Sequence, residues 1–418
     1  MIAAVAVVAT FVTSLIAPGA LAAQGFTVRS VVTAGQRAPG GGTFEHFNVE
    51  SLPIVAPVNA RGEVAFFGSL LRGSGSEGLF LASPAGIAKL VVEGAGAPGG
   101  GTISGLGKHP VPSLNQSGTV AFAASVTGGK VAEAIFTASR GRIQAVAIAP
   151  AAAPGIASGT LVGLDAPALN DRGDVAFLAT VRRGRETVDA IYHRTAGKIQ
   201  KIVAQGDPAP AGGVFAGFGP PAVNNHGVVV FAAVVEGRAV PGGLFRAEAG
   251  KIAMVVGAGD ETPVGGIFTK FSERVGLNDA GLVVFHAGLK NSAAAAAVFA
   301  LDKDRVRKIA ATGDGAPGGG TFSHFGPWPT VNASGTIGFV ASVDAASSPI
   351  AAFLAAPSGL SRIAAVGDAL PGGGTLATFS LYPVISLSPT GSATFATAPT
   401  STGEGVEGIY VVVPSASR

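Results

Sequence analysis

The chain repeats itself along its whole length. An N-x-x-G element begins at Asn59, Asn115, Asn170, Asn224, Asn278 and Asn332, and a degenerate copy, S-P-T-G, begins at Ser388. Successive copies start 54 to 56 residues apart. Seven residues after each start stands a phenylalanine: Phe66, Phe122, Phe177, Phe231, Phe285, Phe339 and Phe395. A second aromatic column follows at Phe80, Phe136, Tyr192, Phe245, Phe299, Phe353 and Tyr410. A fixed period without a skipped register is the mark of a repeat architecture, in which no unit can bury its faces alone.

Between the units runs a glycine loop: "APGGGTF" at 38, "APGGGTI" at 97, "APAGGVF" at 209, "TPVGGIF" at 262, "APGGGTF" at 316 and "LPGGGTL" at 370. The third copy, "APGIASGTL" at 153, carries an insertion. Two of these loops place glycines at G-x-G-x-x-G spacing, one of them at Gly313, Gly315 and Gly318. A dinucleotide site needs a helix to start there and aim its N-terminus at pyrophosphate. Here proline, more glycine and a strand-like segment follow, so the spacing is coincidental.

Each unit reads as four short strands. In the fifth, "RVGLN" precedes the N-x-x-G turn, "LVVFHAG" follows it, and "AAVFAL" and "RVRKIAATG" complete the set. Alternation, β-branched content and Gly/Pro punctuation all favour strands. In the turn itself, the asparagine can accept from the backbone two residues on, and glycine takes the positive φ that follows. Four-stranded units of this length solve their burial problem by radial repetition, as propeller blades. The last copy stops after its third strand, "GIYVVVP", while the segment from Phe26, "FTVRSVVTAGQ", matches the fourth-strand pattern of "KIQKIVAQGD". The expectation is therefore an all-β, seven-bladed β-propeller whose N-terminal strand completes the last blade.

Because the aromatic columns recur in every unit, they are assigned to packing between blades, each ring contributing roughly 1.5–3 kcal/mol when buried. The recurrent loop aspartates Asp207, Asp260, Asp314 and Asp368 are assigned to accepting backbone N–H groups. Function is sought in what does not recur. Arg182, Arg183 and Arg185 form the densest basic cluster, in a variable loop expected on the glycine-loop face. His46 and His324 share one loop position in the first and sixth units. Trp328, the only tryptophan, precedes the innermost strand of its blade and is expected near the channel mouth. These six are the candidate ligand contacts. No catalytic constellation, metal-ligand spacing or cofactor motif stands out, and the "RGD" at 172 obeys the repeat rule and is chance.

Residues 1–23 carry no charge, are mostly apolar and end in Ala20-Leu21-Ala22, a small-residue cleavage pattern. They read as a signal peptide, with one propeller domain over 24–418 and a secreted or periplasmic destination. There is no cysteine, which excludes disulfides and thiolate chemistry. A net charge of +3 with scattered Lys and Arg gives nucleic-acid binding no support. Charged residues make up 13%, about half the usual ~25%.

The element intact in "NARGEVAF", "NQSGTVAF" and "NDRGDVAF" resembles the tandem-repeat family of exported bacterial proteins named for N-x-x-G-x-x-A-F repeats. The resemblance implies varied C-terminal surface anchors (the choice-of-anchor type) and no assigned activity. The C-terminal "VVVPSASR" offers no apolar tail or sorting motif, so a soluble monomer without stable membrane insertion is expected. The expected function is a secreted, non-catalytic binding or scaffold propeller whose partner is a protein, a glycan or a small molecule. The alternative is a propeller hydrolase or lyase with residues from several blades converging on the central channel.

Overall fold

A computed structural model describes residues 25–47, 54–106, 111–210, 212–237, 241–380, 383–400 and 403–415. The leader expected at 1–23 lies outside them. Among the described residues there is no helix; seven antiparallel sheets follow one another as the blades of a β-propeller. In blade 4 the innermost strand comes as two pieces, Val214–Phe218 and Ala222–Val223, followed outwards by Val229–Glu236, Gly242–Glu248 and Lys251–Gly257. The other blades repeat this order, mostly with four strands.

The ring closes as the chain ends suggested. Phe26–Thr33 pairs antiparallel with Gly408–Pro414, from Phe26 opposite Pro414 to Thr33 opposite Gly408. The first strand of the chain is thus the outermost strand of the last blade.

The sequence points to one short segment before the turn, "RVGLN" in blade 5, whereas the innermost strand is longer and broken in two. Both pieces pair with the second strand, and the residues between them leave the ladder. Proline accounts for part of this: Pro112, Pro167, Pro221 and Pro329 stand three residues before the asparagine in blades 2, 3, 4 and 6, where a missing N–H forbids pairing, whereas blade 5 breaks between Phe271 and Gly276 without a proline. Blade 3 keeps one strand, Thr160–Leu169, but shifts register between Asp165 and Ala168, with Ala166 at φ 48°.

The N-x-x-G turn is a hairpin held by its asparagine. Asn59 Oδ1 accepts the N–H of Arg61 (3.0 Å) and Glu63 (3.1 Å), and Gly62 takes a φ of 72°. The other end of the amide leaves the blade. Asn59 Nδ2 donates to the backbone oxygen of Asn115, Asn115 to Asn170, Asn170 to Asn224, and so on to Ser388, at 2.9–3.2 Å. All six asparagines are buried. Ser388 has no second arm, and the seam between blades 7 and 1 is held otherwise. Thr394 Oγ1 donates to Ala56 O, and Glu407 accepts from the Phe47 N–H at 2.6 Å.

The two aromatic columns are direct cross-strand partners, such as Phe231 opposite Phe245, stacked at 5.8 Å. The glycine-loop phenylalanine meets the second column edge-on, as Phe268 does Phe299 at 5.0 Å. These rings pack on the aliphatic face of the preceding blade: Phe268, Phe285 and Phe299 share a core with Val230, Leu244 and Val256. Around the closing seam, Phe44, Phe66 and Phe80 meet Val32, Ala396 and Ile409. The columns are inter-blade packing, as their recurrence required.

The glycine loop is a hairpin, and no helix starts in it. Gly313 N–H donates to Phe322 O (2.8 Å) and Phe322 N–H returns to Asp314 O (2.9 Å). Asp207, Asp260, Asp314 and Asp368 each accept the N–H three residues earlier, at 2.7–2.9 Å. The last glycine of the loop has no alternative. A Cβ on Gly213 would lie 2.3 Å from Glu236 O, and on Gly320 2.4 Å from Asp344 O, both at positive φ.

Two outcomes check this architecture. Deleting residues 25–33 exposes the edge of the last blade and removes buried Val32, and should cost on the order of 5 kcal/mol; equal melting temperatures for the two forms would refute the closure. Tyr192 stacks on Phe177 in an otherwise aliphatic core with its hydroxyl enclosed and without a partner, and burial pushes its pKa up to about 12. Tyr192→Phe removes that buried group and should stabilise the protein by ~1 kcal/mol in denaturant unfolding.

Candidate ligand site in the central channel

Counting back from each N-x-x-G asparagine puts the channel wall in register. Four residues before it stand Val55, Val111, Ala166, Pro220 and Val384 in five of the blades. In the two remaining blades, 5 and 6, which are neighbours, the same place holds Arg274 and Trp328. All of these but the buried Ala166 line a channel cavity of about 290 Å³, with neighbouring residues of the same inner strands. Its wall is largely Val, Leu and Pro, and no carboxylate side chain lines it.

The break in the innermost strand is what places these two side chains. In blade 5, Ser272 N–H donates to His286 O (2.8 Å) and Ser272 Oγ–H donates to Arg274 O (2.9 Å), fixing the backbone that carries Arg274. In blade 6, Trp328 lies between Pro327 and Pro329, which hold that segment off the ladder. The Arg274 guanidinium carbon stands 4.7 Å from the Trp328 ring centroid, a cation–π contact between adjacent blades. The Arg274 Nε is enclosed and has no hydrogen-bond partner, and neither has Thr330 Oγ1, two residues along from Trp328. Among the described residues no ion pair involves Arg274. Burial draws its pKa down to about 10 against the opposing pull of Asp165 and Glu273, so the group remains a cation at neutral pH.

A second channel cavity, of about 240 Å³, lies at the N-x-x-G end. Its polar groups are used up between blades: Asn225 Nδ2 donates to Asp171 Oδ2 (2.9 Å) and Asp279 Oδ2 (2.8 Å). The remaining carboxylate oxygens accept backbone N–H groups of the preceding blades. The contrast with the idle donors around Arg274 separates a structural ring from a site. Among the described residues no group of three or more His, Asp or Glu side chains could hold a metal ion.

The six residues singled out from sequence fall in different places. Trp328 lines the channel cavity; the other five do not. His46 is exposed, and its Nδ1 lies 2.9 Å from Glu407 Oε2, at the seam between blades 1 and 7. His324 is exposed on the strand Thr321–Phe325. Arg182 and Arg183 end the strand Val175–Arg183 and Arg185 sits in the tight turn that follows, all three exposed. The variable loop joining these two strands is a tight β-hairpin, with Arg183 paired to Glu186. Arg274 and Thr330 were missed. The signal was present in the alignment on the asparagine, which shows arginine replacing a small apolar residue.

The fold and the channel define a seven-bladed propeller with one unsatisfied cationic and aromatic site at its axis. By sequence the chain belongs to a family of unknown function, DUF7453, whose model matches residues 4–292 and 241–413. No curated protein matches it. Among solved structures it is similar to the polysaccharide lyase Uly1, at 10% identity and a TM-score of 0.45, over 94% of this chain and 99% of that one. An ancestral GH74 enzyme matches at 12% identity and a TM-score of 0.44, over 91% of this chain and 51% of the other, so the chain spans about half that enzyme's length. TolB from Acinetobacter baumannii matches at 12% identity and a TM-score of 0.36, over 87% and 79%.

Beside the site, His286 occupies a place filled by Phe67, Ala123, Leu178, Ala232, Val340 and Ala396 in the other blades. Its ring lies 6.1 Å from that of Phe325, and burial draws its pKa down to about 4. An unfolded histidine titrates near ~6.5, so between there and about 4 the unfolded state binds more protons than the folded one. Stability should therefore fall as pH drops through that window, by up to ~3 kcal/mol. Urea unfolding from pH 7 to 4.5 checks this: His286→Leu should flatten the slope, and an unchanged slope would show that His286 does not carry it.

Proposed function

We propose that this protein is a binding propeller whose ligand enters the central channel from the glycine-loop side and contacts Trp328 and Arg274. The observation that carries the reading is the break in the channel-wall column. Five blades present small apolar side chains there, and two adjacent blades present an arginine and the only tryptophan. Repeated residues answer the need to close a ring, which small side chains meet. A half-buried cation with an enclosed, idle donor answers no such need and is retained at a cost in desolvation. The finer reading from sequence fits beside this one: an exported protein of the N-x-x-G-x-x-A-F repeat type, acting outside the cytoplasm, supported by the apolar leader at 1–23.

Because Trp328 is the sole tryptophan, its emission reports on this cavity alone. Screening small molecules and oligosaccharides by that emission should find compounds that shift or quench it saturably. By calorimetry, Trp328→Ala should then weaken binding by roughly tenfold or more, as loss of an aromatic anchor does. The combined Arg182→Ala, Arg183→Ala, Arg185→Ala variant should bind unchanged. The reverse pattern would move the site to the outer face.

A further inference from the structure

We infer that the channel site takes a small monocarboxylate with an apolar body, its carboxylate on Arg274 and Thr330 and its body along Trp328 and the aliphatic wall. This rests on the reading of the channel as the binding site and adds the chemical class of the ligand.

The free valences around the cavity are donors. Arg274 offers a planar fork of N–H groups, of which the Nε–H is enclosed and unpartnered. Thr330 offers an enclosed hydroxyl that is also unpartnered. Ser113 Oγ already accepts from the Leu169 N–H at 2.9 Å, which leaves its own hydrogen to give. No Asp, Glu, Asn or Gln side chain faces the same cavity, so a ligand rich in hydroxyls would find few acceptors for its hydrogens. The fixed fork of a guanidinium matches the two oxygens of a carboxylate, and such charge-assisted pairs are about twice as strong as neutral ones.

The rest of the wall selects the body. Val55, Val111, Pro220 and Val384 present only carbon from four other blades, and the Trp328 ring supplies one flat face already covered in part by Arg274. At about 290 Å³ the cavity sits at the small end of the ~300–1,000 Å³ usual for ligand pockets. A single ring or a short aliphatic chain fills it, with one charged end. Arg274 is the one cation lining the cavity, and Asp165 and Glu273 already act on it, which favours a single negative charge over a dianion.

The test uses the purified full chain and four probes: benzoate, hexanoate, benzamide and inorganic phosphate. Benzoate and hexanoate should change Trp328 emission saturably, and benzamide should bind roughly tenfold or more weaker, since it keeps the ring and loses the charge. Arg274→Gln should abolish that preference for benzoate over benzamide, while Arg274→Lys, which keeps the charge but not the fork, should retain part of it. The comparison among probes on the unaltered protein stands even if a variant fails to fold. Benzamide binding as tightly as benzoate would overturn the carboxylate assignment and leave the channel as the site. Phosphate binding as tightly as either acid would overturn it too, in favour of an unselective anion site. If none of the four moves Trp328 emission, this inference fails; if a ligand then found by calorimetry binds Trp328→Ala unchanged, the channel reading fails with it.

Discussion

Six buried asparagine amides hold this propeller in register. Each carboxamide oxygen closes a hairpin within its own blade, and each Nδ2 reaches the same residue's carbonyl in the next blade. One side chain therefore sets both the turn and the spacing between blades. Aspartate would lose the donor arm, and serine keeps only one hydroxyl for both duties. The copy that departs from asparagine, Ser388, lies at the seam where the chain ends meet. There the N-terminal strand, Thr394 and Glu407 take over the joining of blades.

From that ring the rest of the packing follows a single direction. Every blade turns an aromatic pair and a glycine-loop residue toward the aliphatic face of the blade before it. In five of the loops, at Gly42, Gly101, Gly213, Gly266 and Gly320, the last glycine lets the loop press against the end of the second strand, where a Cβ would overlap a carbonyl oxygen. With the same aromatic packing at every seam, the inner wall is free to vary only where the ladder is interrupted. Prolines make the interruption beside Trp328, blade 5 is interrupted without one, and it is at these unpaired residues that Arg274 and Trp328 face the axis. The site is a by-product of where the ring does not need hydrogen bonds.

His46 and Glu407 illustrate how the ring absorbs residues that look functional in isolation. In the sequence His46 and His324 share one loop position, and both are candidate ligand contacts. In the fold His46 leans on a carboxylate that also accepts the Phe47 N–H, so it belongs to the closing seam. His324, in the sixth blade, has no such seam beside it. The comparable carboxylate of blade 2, Glu133, accepts from the Leu164 N–H of the next blade, so a carboxylate at this place joins blades.

The repeat, the strand count, the aromatic seams and the closure by the first strand were all legible in the sequence. Each is imposed on every blade, and periodicity makes such demands visible as columns. The turn chemistry of asparagine and the loop aspartates was legible for the same reason. What the sequence did not disclose was the donor arm between blades, the interrupted inner strand and the pairing of Arg274 with Trp328. These two residues are 54 positions apart and meet because consecutive blades bring equal heights of their inner strands to one wall. A chain can encode a seam by repeating it, but a contact made once, across two blades and off the hydrogen-bond ladder, exists only when the ring has closed.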